Sequence, residues 1–266
     1  MVSRKIGSLF YFGERILMGC KGLVAEAHSH YAVSLLLSID EPFQVLNKEG
    51  ILAVCEAILI PPNYHHTLLA ENSKMVVLQF DPKSLDFQSL KESADVSDPV
   101  TYKIDTFFPI LSDLRRLLDA ELDCDSAWKL YFQILTCFGA KDTKPLPHDS
   151  RMKTALQLME ERLPDSIRVS DLAQKIGLSE DRFMHWFKEQ FGIPLRQYLL
   201  WRRLHIAASL LQTGASLTEA SHAAGFSDQS HLSKTFRKMF GVPPSRFLGG
   251  NENFKVCFCT KNLSGL

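Results

Sequence analysis

Two periods of hydrophobic spacing divide this chain. Over the first hundred residues the apolar positions come in short runs, "YAVSLLLSI", "ILAVCEAILI" and "KMVVLQFD", bounded by the turn-forming "DEP", "NKEG" and "PPN". Short apolar runs punctuated by Gly, Pro, Asn and Asp read as strands, and several at close spacing predict a small β-barrel or sandwich over residues 1–100. Then the period lengthens. "TFFPILSDLRRLLDAEL" and "SAWKLYFQILTCFGA" place apolar residues at helical spacing, so residues 101–140 are expected to hold two amphipathic helices. "KDTKPLPHDS", Lys141–Ser150, is polar and proline-containing and reads as a linker.

From 151 to 250 the pattern is helical, and it repeats. "VSDLAQKIGLSEDRFMHWFKEQFGIP" (Val169–Pro194) aligns with "LTEASHAAGFSDQSHLSKTFRKMFGVP" (Leu217–Pro243) at an offset of 48 that becomes 49 after one inserted residue. Each copy parses as helix, sharp turn, helix. Ser170 or Thr218 is placed to cap a first helix, with Asp171 or Glu219 in its first turn. Gly177 and Gly225 supply the left-handed residue that ends it. Ser179 and Ser227 are expected to cap the second helix, and Gly192 and Gly241, each followed by proline, to stop it. Phe183, Phe187 and Phe191 in one copy, and Leu232, Phe236 and Phe240 in the other, recur every fourth residue and face a core. Between the copies "RQYLLWRRLHIAASLLQTG" predicts a connecting helix that buries Tyr198, Leu199, Leu204, Ala207, Ala208 and Leu211.

Length and charge fit two domains. The chain has 266 residues, 45% of them hydrophobic, enough for two cores. Its net charge of zero hides an asymmetry: residues 1–149 carry 14 Lys+Arg against 20 Asp+Glu, and residues 150–250 carry 14 against 9. A basic domain joined to an acidic one suits a nucleic-acid module attached to a sensor. Six cysteines, Cys20, Cys55, Cys124, Cys137, Cys257 and Cys259, have no framework spacing and read as reduced thiols. No run approaches the roughly 20 apolar residues of a membrane span, which places the protein in the cytoplasm without a membrane partner. The tail, residues 251–266, has no assigned role.

With the apolar stripe turned inward, the polar positions of each second helix face out. They include Ser179, Asp181, Arg182, His185 and Lys188 in the first copy and Gln229, Ser230, Ser233, Lys234, Arg237 and Lys238 in the second. Gln, Arg and Lys hydrogen-bond purine edges, and the remainder hold phosphates. Residues 151–248 resemble the DNA-binding domain of the AraC/XylS family of transcriptional regulators, above all in "GFSDQSHLSKTFRKMFGVPPSRF". The resemblance implies base contacts from Asp181, Arg182, Met184 and His185 and from Gln229, Ser230, His231, Ser233 and Lys234. It also implies double-stranded promoter DNA and RNA polymerase as partners, with activation the commoner outcome. Lys234 stands where many members have arginine, and Met184 and His185 are weak base readers, so the second copy is expected to carry more of the specificity.

In the N-terminal half, "HSH" and "IPPNYHH" resemble the two motifs of cupin barrels in the form found on AraC-type sensors. His28 and His30, two apart, point the same way on a strand. The reading adopted is an effector pocket lined by His28, His30, Tyr31, Tyr64 and His66 with hydrogen-bonded histidines and no metal. A divalent ion on His28, His30 and His66 is the alternative, without the acid that metal-binding cupins add. Leu111, Leu114, Leu118, Ile134 and Phe138 of the helical pair either cover the barrel or form a homodimer interface, and dimerisation is the reading favoured. The expectation is an α+β multidomain protein: a cupin-like barrel with two following helices, then an all-α double helix-turn-helix domain. Its expected role is a sequence-specific regulator sensing a small molecule or partner and not an enzyme. The alternatives are a metal-dependent cupin enzyme fused to a DNA-binding domain and a regulator governed by protein contacts.

Overall fold

The computed structural model describes residues 7–12, 15–93, 95–141, 150–165, 167–191, 194–240, 244 and 254–259. The chain divides into two compact units, one of residues 144–235 and one made of the remainder. The N-terminal unit holds β1 (Gly7–Tyr11), β2 (Arg15–His28), β3 (Val33–Ser38), β4 (Phe43–Asn47), β5 (Gly50–Cys55), β6 (Ala57–Ile60), β7 (His66–Phe80), α1 (Leu85–Lys91) and β8 (Val100–Tyr102). A 3-10 helix (Ile104–Ile110), α2 (Leu111–Leu118) and α3 (Cys124–Cys137) follow. The other helices are α4 (Ser150–Arg162), α5 (Val169–Lys175), α6 (Glu180–Phe191), α7 (Leu195–Gln212), α8 (Leu217–Ala223) and α9 (Gln229–Phe240), and β9 is Phe254–Phe258.

The nine strands form one sheet in the order β8-β6-β3-β7-β2-β1-β9, with β4 pairing both β7 and β5. Among the described residues the ladder does not close on itself, and its strands bury two cores, one on each side. Alternation decides which face each residue serves. Leu17, Val33, Leu35, Leu37, Val76, Leu78 and Phe80 join one core. Their neighbours Met18, Cys20, Leu36, Met75 and Val77 join the other. The run "ILAVCEAILI", a single apolar stretch in the sequence, is two strands, β5 and β6, with Glu56 between them.

The first core lies between the sheet and the helical pair. Leu114, Leu117, Leu118, Leu130, Ile134, Leu135 and Phe138 are all buried in it, and the Ser8 hydroxyl donates to the Leu117 carbonyl at 2.6 Å. This corrects the dimer reading: Leu114, Leu118, Ile134 and Phe138 cover their own sheet, and Leu111 is half-buried. An interface on this pair would have to use its opposite, exposed side. Where the helices meet the strands, Asp86 of α1 accepts from Arg15 Nε at 2.6 Å and from the Tyr131 hydroxyl at 2.8 Å. The carboxylate is buried but paired, which meets the condition for keeping a charge out of water.

The C-terminal tail is part of this unit. β9 runs parallel to β1 from Gly7↔Phe254 to Tyr11↔Phe258, and Lys255 Nζ donates to the Leu122 carbonyl at 2.6 Å and to the Ala120 carbonyl at 3.2 Å. Cys259 is bonded to Cys124, 135 residues away in sequence. The expectation of six reduced thiols is therefore corrected for this pair; Cys20, Cys55, Cys137 and Cys257 are thiols. Spacing could not reveal it, because the two cysteines meet only when the tail returns to the sheet.

The helical unit packs on α7. Trp201, Tyr198, Leu204 and Ala207 are buried along it, and Phe183, Phe187 and Leu232 are buried from the second helices of the two motifs. The side chains of Phe191 and Phe240, the helix-stopping Gly192 and Gly241, and linker residues 142–149 lie outside the described residues.

Because Leu114 is fully buried, Leu114→Ala should cost about 2–5 kcal/mol of stability. In chemical denaturation its midpoint should fall by the same amount at every protein concentration. A concentration-dependent loss would return this leucine to a subunit interface.

Candidate functional site

The two helix-turn-helix copies are built by local chemistry that the repeat only partly foretold. In the first, α5 starts after Arg168 with no side-chain cap. Ser170, the expected cap, lies inside the first turn, and Asp171 there pairs with Arg162 at 2.5 Å. In the second, the cap of α8 is Ser216 rather than Thr218. Its hydroxyl accepts from the Glu219 amide while the Glu219 carboxylate takes the Ser216 amide, a reciprocal capping box. Donation from the Ser216 amide and hydroxyl holds the Glu219 carboxyl below the usual range.

Gly177 (φ 72°) and Gly225 (φ 80°) make the turns in the left-handed region. They differ in surroundings. A Cβ on Gly225 would lie 2.5 Å from the Pro164 carbonyl oxygen, whereas one on Gly177 would meet nothing within 4 Å. The inserted residue of the second copy then moves the next cap by one position. Ser179 accepts from the Arg182 amide at 3.4 Å at the start of α6. In the second copy Asp228, not Ser227, fills that place, accepting from the His231 amide at 2.7 Å. The backbone bond from His231 holds the Asp228 carboxyl below the usual range.

The expected outward set is outward. Ser179, Asp181, Arg182, Met184, His185 and Lys188 are exposed, as are Gln229, Ser230, His231, Lys234, Arg237 and Lys238; Ser233 is half-buried. The two surfaces are not equivalent. α9 carries Lys234, Arg237 and Lys238 and no acid, whereas α6 sets Arg182 and Lys188 against Glu180, Asp181 and Glu189. The Thr218 hydroxyl donates to Gln229 Oε1 at 3.3 Å, which directs the amide nitrogen outward as a donor. His231 is held by its neighbours, its ring edge-on to Phe226 and its Nδ1 3.2 Å from the Ser227 hydroxyl.

A second site lies in the N-terminal sheet. His28 and His66 are paired across β2 and β7, just beyond a register shift in β2. His30 follows β2, and its carbonyl accepts from the Asn63 amide at 2.8 Å, which fixes the β6–β7 turn where Asn63 adopts φ 62°. All three rings are buried, at 7%, 2% and 3% exposure for His28, His30 and His66. One ligand nitrogen from each lies within 4.8 Å of the others.

The rings share one hydrogen-bond pattern. Nδ1 of His28 faces the Glu26 carbonyl at 2.7 Å, Nδ1 of His30 the Ala32 carbonyl at 2.8 Å, and Nδ1 of His66 the Tyr64 carbonyl at 2.9 Å. A carbonyl only accepts, so each Nδ1 carries the proton and each Nε2 offers a lone pair. Burial holds His28 and His30 below the ordinary imidazole range and takes His66 down to about 4, so the rings are neutral near pH 7. The Ser34 hydroxyl approaches His30 Nε2 at 3.3 Å. Three neutral imidazoles oriented through carbonyls fit a nitrogen-preferring divalent ion. With zinc–nitrogen bonds of about 2.0–2.1 Å the ligand atoms would end about 3.4 Å apart, inside the 4.8 Å within which they lie.

Of the other residues assigned to the pocket, Tyr31 is fully buried and gives its hydroxyl to Asp81 at 2.9 Å. Tyr64 is half-buried and serves His66 through its carbonyl. What the sequence did not single out is the set of backbone carbonyls, at Glu26, Ala32 and Tyr64, that fixes the rings. Nothing in the residue types announces them.

Comparison with known proteins separates the two units. A helix-turn-helix domain family matches residues 172–249. The arabinose operon regulatory protein of Salmonella typhimurium is 34% identical over 108 residues, 40% of this chain and 38% of that protein. The transcriptional activator RhaS of Escherichia coli is 31% identical over 106 residues, again 40% and 38%. The matches thus span less than half of these relatives. Among solved structures, apo ToxT of Vibrio cholerae superposes with a TM-score of 0.60 at 14% identity, covering 90% of this chain and 98% of that one. Unsaturated fatty acid bound ToxT gives 0.53 at 15% identity over 88% and 94%. At such identity the likeness is one of fold: a β-rich N-terminal domain followed by a helical one.

The two turn glycines should respond unequally. Gly177→Ala should cost about 1–2 kcal/mol, the left-handed penalty. Gly225→Ala should cost more because its Cβ also meets the Pro164 carbonyl. Thermal melts of both variants check this, and equal losses would mean that the close approach at Gly225 carries no energy.

Proposed function

From a chain whose C-terminal domain is an AraC-type helix-turn-helix domain, we propose a sequence-specific, double-stranded-DNA-binding transcriptional regulator with a ligand-responsive N-terminal domain. The observation that carries it is the pair of motifs whose second helices bury Phe183, Phe187 and Leu232 and expose the polar and basic positions expected to meet DNA. Ser179, Asp181, Arg182, Met184, His185 and Lys188 form one contact set, and Gln229, Ser230, His231, Ser233, Lys234, Arg237 and Lys238 the other. Lys234 and Lys238, on a helix with no acid in its own sequence, support giving α9 the larger share of affinity, and the Gln229 amide supports giving it base readout. RNA polymerase as partner, activation as outcome, a homodimer and a cytoplasmic site of action belong to this same reading.

The N-terminal domain is assigned the sensing role. Its likeness in fold to ToxT, of which a fatty-acid-bound structure is known, supports a small-molecule ligand. The buried polar cluster of His28, His30 and His66 is the place such a ligand would find hydrogen-bonding groups, with Tyr31 and Tyr64 beside it in sequence. A second reading rests on the shared Nδ1 pattern: the three Nε2 atoms hold a borderline divalent ion of the zinc type. Such an ion would supply an open coordination position for an anionic effector. In either reading the ligand acts only through unequal affinity for two states of the regulator.

Selection of bound duplexes from a random pool, repeated at several salt concentrations, tests the regulator. Enrichment of a motif with two half-sites about one helical turn apart is expected; salt-sensitive binding without a motif would overturn sequence-specific regulation. On the selected duplex, Gln229→Ala should weaken binding about tenfold, in line with a base contact worth roughly 1–3 kcal/mol, and more than Arg182→Ala does. Lys238→Ala should lower affinity evenly across sequences and reduce the salt slope by about 1.

Equilibrium dialysis against zinc separates the two ligand readings. One ion bound by the wild type and lost in His28→Ala/His66→Ala, with the four free thiols blocked in both, supports the metal. Equal zinc content in the two proteins supports the organic ligand.

A further inference from the structure

The disulfide and the returning strand lie outside everything the DNA-binding reading uses. β9 is the last strand of the sheet, five residues long and paired to β1 on one side. It is held further by the Cys259 amide donating to the Tyr11 carbonyl at 2.8 Å, by Lys255 on the Ala120 and Leu122 carbonyls between α2 and α3 and over the Phe10 ring, by Cys257 packed on the core, and by the bond from Cys259 to Cys124. A five-residue parallel edge ladder is a weak attachment without a covalent partner. The bond also closes a loop that begins at the first residue of α3 and contains, in sequence, the linker and the whole helix-turn-helix domain.

This pair is set apart from the other cysteines. The other four are thiols, and burial pushes the Cys55 thiol up to about 11 and raises that of Cys137, which disfavours the reactive thiolate. Cys124 sits at the N-terminus of α3, where the helix dipole favours a thiolate, while Asp123 and Asp125 beside it oppose this. A regulator that works on DNA operates where glutathione and thioredoxin keep thiols reduced, and disulfides in that setting are transient and redox-sensing. That step rests on the reading of the protein as a regulator.

We propose that Cys124 and Cys259 form a thiol–disulfide switch that fastens the C-terminal strand to the N-terminal sheet when oxidised and frees it when reduced. The oxidant is a low-molecular-weight disulfide. One cysteine thiolate attacks it, forming a mixed disulfide and releasing one small thiol. The second cysteine, as thiolate, then attacks the protein sulfur of that mixed disulfide and expels the second small thiol. Two protein thiols thus lose two protons and two electrons, and one small disulfide becomes two thiols. In the oxidised form the helical domain is tethered to the N-terminal unit through both of its ends, which narrows the arrangements open to it. In the reduced form the covalent tether is the linker alone.

The test uses the full chain equilibrated in glutathione buffers from reducing to oxidising. Thiol labelling and peptide mapping should show a Cys124–Cys259 peptide that forms and disappears across this range. Hydrogen exchange of residues 254–258 should become about tenfold faster or more on reduction, as expected when a disulfide's stabilisation is removed. Cys124→Ser and Cys259→Ser should each exchange at the reduced rate in every buffer, and Cys257→Ser should respond like the wild type. Failure of the peptide to form, its persistence in the most reducing buffer, or a tail equally protected in both states would each overturn the switch. These readouts need no DNA, so they stand apart from a failure of the regulator reading. With the switch in hand, oxidised and reduced protein should differ threefold or more in affinity for the selected duplex. Equal affinities would overturn its regulatory role.

Discussion

Fourteen residues of β2 lie antiparallel against the fifteen of β7, from Arg15↔Phe80 to His28↔His66, and every other strand reaches the sheet through one of them. β1 joins through β2 and β9 through β1; β3 and β4 join different halves of β7 and bring in β6, β8 and β5. Because side chains alternate along both long strands, a one-residue slip between them would exchange the two cores, so their register is strongly specified. The same ladder sets His28 opposite His66. The histidine-bearing end and the tail-binding end of the domain are thus two consequences of one pairing.

The histidine cluster shows how a buried polar site is kept. Three imidazoles deprived of water would be costly if left unbonded, and each gives its Nδ1 proton to a carbonyl two residues away. That arrangement fixes the tautomer and leaves each Nε2 with its lone pair. The opposite end is held together by the paired Asp86 carboxylate, which joins the start of β2, α1 and α3. The same α3 begins with the cysteine that captures the tail.

In the helical unit, equivalent folds have acquired unequal surfaces. Phe183 and Phe187 in one second helix and Leu232 in the other are buried, so the repeat persists where packing constrains it. The caps, free to vary as long as an oxygen meets the exposed amides, have diverged into Ser179 in one copy and Asp228 in the other. The outward faces have diverged further, into mixed charges on α6 and a helix with no acid of its own on α9.

How much could be read before the fold was known follows from the range of each interaction. The helical unit was legible almost throughout, because period, capping residues and turn glycines act within a few positions; the errors were local too, such as Ser216 replacing Thr218 and Asp228 replacing Ser227. The strands around "YAVSLLLSI" and "KMVVLQFD" were legible as strands, but not the full reach of β7. The opposing β2 went unassigned, since its role depends on a partner some fifty residues away. His28, His30 and His66 could be named from spacing, whereas the carbonyls that orient them could not. Leu114 and Ile134 had the right period for either a core or a dimer, and only the sheet beneath them settled it. The sequence by itself determined the two-unit plan and the outward chemistry of the second helices, because these follow from local periodicity and side-chain type. Tertiary structure decided the closure of the tail onto the first domain, the Cys124–Cys259 bond and the convergence of the three imidazoles, because each joins residues that only long-range strand pairing brings together.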